Sequence, residues 1–251
     1  MFATLLAIWL AFACAPQNAP ERPAITVSAA VSLTTALTAI AQEYARAGSG
    51  TIRFNFAASN VLARQIVNGA PVDLFISADA AQMDVVARAG LLREQSRVNL
   101  LTNQLAVVVP NDRQRTFASI NDLAGQAYRR IAIGDPQAVP AGVYAKQYLE
   151  REGLWSAIEP RVVPSASVRA ALVAVESGAA DAAIVYRTDA RVSTRASVAW
   201  VVAADRGPRI VYPAAIVRTS TEPAESQRFI DFLRSAAGAR VFERFGFGSA
   251  R

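Results

Sequence analysis

The 251-residue sequence predicts an α/β fold: two doubly wound α/β lobes joined by two crossover segments. Three observations predict it. Apolar strand-like runs alternate with amphipathic helical segments in two separate series, the pattern of parallel sheets covered on both faces. Two long apolar runs, residues 105–110 and 209–217, bracket the second series and read as crossings between lobes. The chain is 53% apolar, enough to bury a core in one large or two medium domains.

Taken in order, residues 1–13 form an apolar run closing on Ala11-Phe12-Ala13-Cys14. This reads as an export signal, outside the fold, although no Lys or Arg precedes it. Cys14 is the single cysteine, so no intrachain disulfide can form. Its place behind the apolar run makes it the expected lipidation site, and the polar, Pro-rich residues 14–23 the tether. From Ala24, strands are expected at 25–29, 52–57 and 74–77, and helices at 33–47, 61–68 and 80–89. Gly48, Gly69 and Gly90 stand where those helices should stop. After the run at 105–110, a second series passes through 119–123, 131–133, 143–151, 162–163, 168–176 and 183–186. Two amphipathic helices, 224–236 and 239–245, follow the run at 209–217 and should return to the first lobe. The expected domains are 24–104 with 214–251 for lobe I, and 105–213 for lobe II. A ligand would lie between them, outside the carboxyl ends of strands.

The formal charge is +6, but the arginines are scattered among acids, with no basic block carrying interleaved aromatics. Nucleic-acid binding is therefore not expected, whereas a mild positive field can steer a small anion. The chain has no histidine, and no Walker, G-x-S-x-G or metal-ligand spacing. A secreted α/β enzyme, with some Ser–Lys arrangement near Lys146, stays as the alternative. A ligand-sensing domain of a regulator would need a DNA-binding segment, and none is found. No internal apolar run reaches the length of about 20 residues needed to span a membrane.

The chemistry gathers at helix starts. Gly134-Asp-Pro-Gln-Ala-Val-Pro-Ala-Gly-Val-Tyr-Ala-Lys146 joins a strand to a helix, and Pro140, Ala141 and Gly142 put almost no side chain between backbone and ligand. The first N–H groups of a helix are unpaired and sit at the positive end of its dipole, so a bare helix start is an anion site. The same design recurs where strands run into Val31-Ser32-Leu33-Thr34, Ala58-Ser59-Asn60 and Ser165-Ala166-Ser167-Val168. Four such starts can converge on one small oxyanion using N–H and hydroxyl donors alone.

Several stretches, in order from about Ala24 to Phe247, resemble the periplasmic molybdate-binding proteins that feed ABC importers. They are Ala29-Ala-Val-Ser-Leu-Thr34, Leu62-Ala-Arg-Gln-Ile66, Gly69-Ala-Pro-Val-Asp-Leu-Phe-Ile-Ser-Ala-Asp79, the Gly134–Lys146 block, Val168-Arg169, Ile184-Val-Tyr186 and Arg244-Phe-Gly-Phe247. The blocks at 69–79 and 134–146 are the specific ones. The resemblance implies a type II periplasmic-binding-protein fold. It also implies capture of molybdate, with tungstate, for delivery to a membrane permease and its ATPase. The expected protein is periplasmic, monomeric and without cofactor, tethered if Cys14 is lipidated. Carried over by motif, the oxyanion donors would be Ser32 and Ser59 through hydroxyl and N–H, Ala141 and Val168 through N–H, and Tyr186 through its phenol. Molybdenum would be held only as molybdate, with no direct metal ligand. Two departures bear on pocket size: Val31 interrupts the small residues before the first serine, and the second loop is reduced to Ala58-Ser59-Asn60.

Local alternatives exist for each residue. Ser32 and Ser59 are also good N-caps, Asn60 equally so, and a strand-end tyrosine commonly packs in a core. Ser167 is expected to cap the helix at Val168, Asp79 the helix at Ala80, and Asp73 to serve a turn after Pro71. Arg169 is expected at the rim or in domain packing. Sulfate is the competing tetrahedral ligand. Phosphate is disfavoured because none of the five donors is a carboxylate able to accept its proton.

Overall fold

The structure is a computed structural model that describes residues 23–250. The signal, tether and Cys14 readings lie outside those residues. Two sheets organise the chain. The first holds β1 (Ile25–Ala30), β2 (Ile52–Ala57), β3 (Leu74–Ile76) and β4 (Val98–Asn103), and the second opens with β5 (Leu105–Pro110). The second continues with β6 (Ile131–Gly134), β7 (Val162–Ser165), β8 (Ala182–Tyr186) and β9 (Ala196–Val201). β10 (Ile210–Ile216) and β11 (Gly248–Ser249) return to the first. The spatial orders are β11-β4-β10-β3-β1-β2 and β7-β6-β8-β5-β9.

The sheets are mixed, not wholly parallel as the alternation of strands and helices suggested. β1 pairs parallel with β2 and β3, and β6 with β7 and β8. β10 and β5, each sandwiched inside its sheet, run antiparallel to their neighbours. These are the strands that arrive from the other sheet. A parallel neighbour needs a covering crossover helix, and they have none before them.

The crossings themselves also differ from expectation. The apolar runs at 105–110 and 209–217 are strands, as their pattern suggests, each paired on two sides, and the connections lie just before them. Gln104 alone separates β4 from β5, and the return passes through residues 202–209. The boundary expected at 213/214 therefore falls inside β10, which pairs with the first sheet from Ile210 to Ile216. The reading also missed β4 and β9, whose polar or isolated residues break the apolar pattern.

Helices cover both sheets. α1 (Thr34–Arg46), α2 (Ser59–Val67) and α3 (Ala80–Arg88) follow the first three strands. Gly48, Gly69 and Gly90, at φ of 66°, 87° and 69°, end them in the left-handed conformation that glycine adopts without strain. α4 (Pro140–Arg151), α5 (Trp155–Ile158), α6 (Val168–Glu176) and α7 (Arg187–Val192) serve the second sheet. α8 (Pro223–Arg234) and α9 (Ala236–Arg244) return to the first lobe as expected, and Phe229 packs edge-on against Tyr44 of α1 at 5.1 Å. No helix among the described residues is long and apolar enough to cross a membrane.

Candidate functional site

Four helix starts meet between the two sheets, at the carboxyl ends of β1, β2, β6 and β7. Ser32 lies in a 3-10 turn, Val31–Leu33, between β1 and α1. Ser59 opens α2, Ala141 is the second residue of α4 behind Pro140, and Val168 opens α6. The structure brings all four together with Tyr186, the last residue of β8, around one cavity. Ala30, Ala58, Ala78 and Pro140 complete much of its wall, and no charged side chain lines it. Two larger grooves, of about 280 and 510 Å³, gather no comparable set of helix starts.

The close approach has a sequence cause. A Cβ on Gly142 would lie 1.9 Å from the Gly134 carbonyl oxygen. Glycine is thus what lets α4 seat its bare first turn against the end of β6. Pro140 lacks an N–H at a position that has no acceptor anyway. The N–H groups of Ala141 and Val168, within the first turns of their helices, have no intrahelical acceptor.

Neither serine is a helix cap. The N-cap of α2 is Ala58, without a side-chain bond, and the turn at Ser32 is preceded by Ala30. Ala78 N–H donates to Ser59 Oγ at 2.9 Å, so that hydroxyl already accepts and has its proton left to give. Ser32 Oγ and Tyr212 Oη are 3.2 Å apart. Tyr186 is 1% exposed, and its hydroxyl has no hydrogen-bond partner among the described residues. Burial raises its pKa well above the ordinary tyrosine value, so the phenol keeps a proton to donate. A buried donor without an acceptor is rare and calls for an explanation.

The neighbouring groups fall largely where expected. Ser167 caps α6 by accepting from Ala170 N–H, and Asp79 caps α3 by accepting from Gln82 N–H. Asp73 does more than turn the chain: its carboxylate accepts from Thr26 N–H at 2.8 Å and from the Ser220 hydroxyl at 2.7 Å. Arg169 stays outside the cavity wall. It pairs with the fully buried Asp189 of its own lobe and reaches Thr35 of α1 in the other at 3.4 Å. Burial pushes the Asp189 carboxyl up to about 7, against the pull of Arg169.

The free space in the cavity is about 10 Å³ for the centre of a water-sized sphere, the room of about one water.

The sequence pattern of the bacterial extracellular solute-binding protein family matches residues 25–248. The chain belongs to this family. It is a solute-binding protein and not an enzyme. It is 37% identical over 242 residues to the molybdate-binding protein ModA of Escherichia coli (strain K12), spanning 95% of this chain and 94% of that one. Among solved structures it is similar to the periplasmic molybdate-binding protein of Azotobacter vinelandii, with a TM-score of 0.80, 25% identity, and coverage of 90% of this chain and 100% of that one. The sulfate-binding protein SubI of Mycobacterium tuberculosis H37Rv shares the fold, with a TM-score of 0.76 at 17% identity over 91% of this chain and 88% of that one. Fold alone therefore does not choose the anion.

Proposed function

We propose that this chain is an extracytoplasmic solute-binding protein that captures molybdate, with tungstate as its close analogue, and hands it to an ABC importer. The observation that carries the reading is the uncharged cavity between the lobes, lined together by Ser32, Ser59, Ala141, Val168 and Tyr186. In this reading the two serine hydroxyls, the first-turn amides and the Tyr186 phenol all donate to one dianion. Helix dipoles supply the positive field, and the absence of a paired cation leaves release possible when the lobes open. Gln104 and residues 202–209 are the hinge, and the closed form is what the permease and its ATPase recognise. Export to the periplasm uses residues 1–13, with Cys14 as the lipid anchor.

The test is ligand-linked stability. An ion that bridges the lobes binds the folded chain and not the unfolded one, so molybdate at about 100 times its Kd should add roughly 2.7 kcal/mol. Melting with molybdate should rise clearly, and with equal sulfate much less. Equal shifts would remove the selectivity.

A further inference from the structure

A cavity hydroxyl can donate or accept, and a fully deprotonated oxyanion needs every one of them to donate. One chain of bonds fixes the direction for Ser32. Gln104 N–H donates to Asn103 Oδ1 at 2.9 Å. That bond sets the amide, because a flipped Asn103 would face an N–H donor with its own NH2. Asn103 Nδ2 then donates to Thr188 Oγ1 at 2.9 Å and to Tyr212 Oη at 3.1 Å.

Tyr212 is fully buried, and burial raises its pKa, so its phenol stays protonated. It has accepted from Asn103, and the acceptor within reach of its own proton is Ser32 Oγ. Were Ser32 to donate to Tyr212 instead, the buried phenol proton would be left without an acceptor, the less favourable arrangement. Ser32 therefore accepts from Tyr212, and its own proton is left for the cavity. The relay is also anchored at the hinge. Gln104 is the single residue between β4 and β5, and Thr188 belongs to α7 of the opposite lobe.

We infer that Tyr212 and Asn103 are positioning residues that hold Ser32 as a donor to the bound anion, and so favour an oxyanion without a proton over one that carries it. The inference rests on the proposed function, and it names residues that touch no ligand themselves. Tyr212→Phe frees the Ser32 hydroxyl to turn and accept. Asn103→Asp keeps the phenol but offers its proton a carboxylate acceptor, which frees Tyr212 Oη to accept from Ser32, with the same result.

The experiment is a double-mutant cycle on the mature chain, read by calorimetric titration with molybdate. Tyr212→Phe should weaken molybdate binding by about 3- to 10-fold in the wild-type background and by less than about 2-fold in Ser32→Ala, since coupled neighbours are non-additive. At pH 8, competition by hydrogenphosphate should become more effective relative to molybdate in Tyr212→Phe. An equal loss in both backgrounds, no loss at all, or a parallel loss for both anions overturns the inference. If Tyr212→Phe does not fold, Asn103→Asp decides through the same cycle. A wild-type chain that takes up no molybdate refutes the proposed function itself; wild-type binding with an additive cycle refutes only the relay.

Discussion

Tyr186→Phe should separate affinity from stability, because its buried hydroxyl makes no hydrogen bond at all to the described residues. The ring is buried to 1% exposure and packs against Tyr212 with centroids 5.9 Å apart. Phenylalanine keeps that packing and removes a single oxygen that has no protein partner. Burying an unsatisfied polar group costs about 1–3 kcal/mol. The ligand-free variant should therefore be at least as stable as wild type. The gain should reach about 1 kcal/mol to the extent that the ligand-free lobes stay closed, or about 2–4 °C in Tm for a chain of this size. The bound anion loses a hydrogen bond between a phenol and a charge, worth about 1.5–3 kcal/mol, so Kd should rise about 10- to 150-fold. Denaturant titration without ligand and calorimetry with molybdate measure the two quantities. A variant that loses stability while binding normally would show the phenol to be structural, and the reasoning would be refuted.

Other outcomes follow from the same geometry. Ser59→Ala should weaken molybdate binding by about one to two decades and also destabilise the ligand-free chain by about 1–3 kcal/mol, because Ala78 N–H loses its acceptor; equilibrium unfolding beside calorimetry reads both. Gly142→Ala places a Cβ 1.9 Å from the Gly134 carbonyl, so it should destabilise by at least about 1–3 kcal/mol and lower affinity as α4 retreats, read by melting and titration. Asp189 titrates at about 7 in the folded chain against an ordinary 3.8, so between those values the folded state holds a proton that the unfolded state has lost. Stability should therefore fall as pH rises from about 4 to 7 and level off above, and Asp189→Asn should flatten that slope in pH-dependent unfolding. Arg169→Ala should cost about 3 kcal/mol at pH 8, where it leaves a buried carboxylate unpaired, and less at pH 5, with a smaller effect on affinity than either serine variant.

Much of this architecture is visible in the sequence, because the helix starts follow directly from local chemistry. The Pro140-Ala141-Gly142 turn, the Ser167 cap and the Asp79 cap each have a short-range cause. The spacing of strand and helix then carries these turns to one end of each sheet. What the pattern could not reveal is set by long-range contacts. β4 reads Val-Asn-Leu-Leu-Thr-Asn and β9 Ala-Ser-Val-Ala-Trp-Val, whose polar and small residues break up the apolar run. The crossings were placed in the two apolar strands themselves, whereas the actual passages lie just before them, at Gln104 and at residues 202–209. Tyr186 came from resemblance alone: a strand-end tyrosine looks the same whether its hydroxyl faces a core or a cavity. Tyr212 escaped notice for a related reason. Its partners Ser32 and Asn103 are distant in the chain, and only the fold makes them neighbours.

The central claim is that an uncharged cage of hydroxyls and helix-start amides closes on molybdate. Calorimetric titration of the mature chain with molybdate, repeated in the presence of excess sulfate and of excess hydrogenphosphate, tests it most directly. The account predicts one ion per chain, tungstate competing fully, and sulfate and hydrogenphosphate displacing molybdate only weakly. No molybdate binding, or displacement by sulfate at equal concentration, would contradict it.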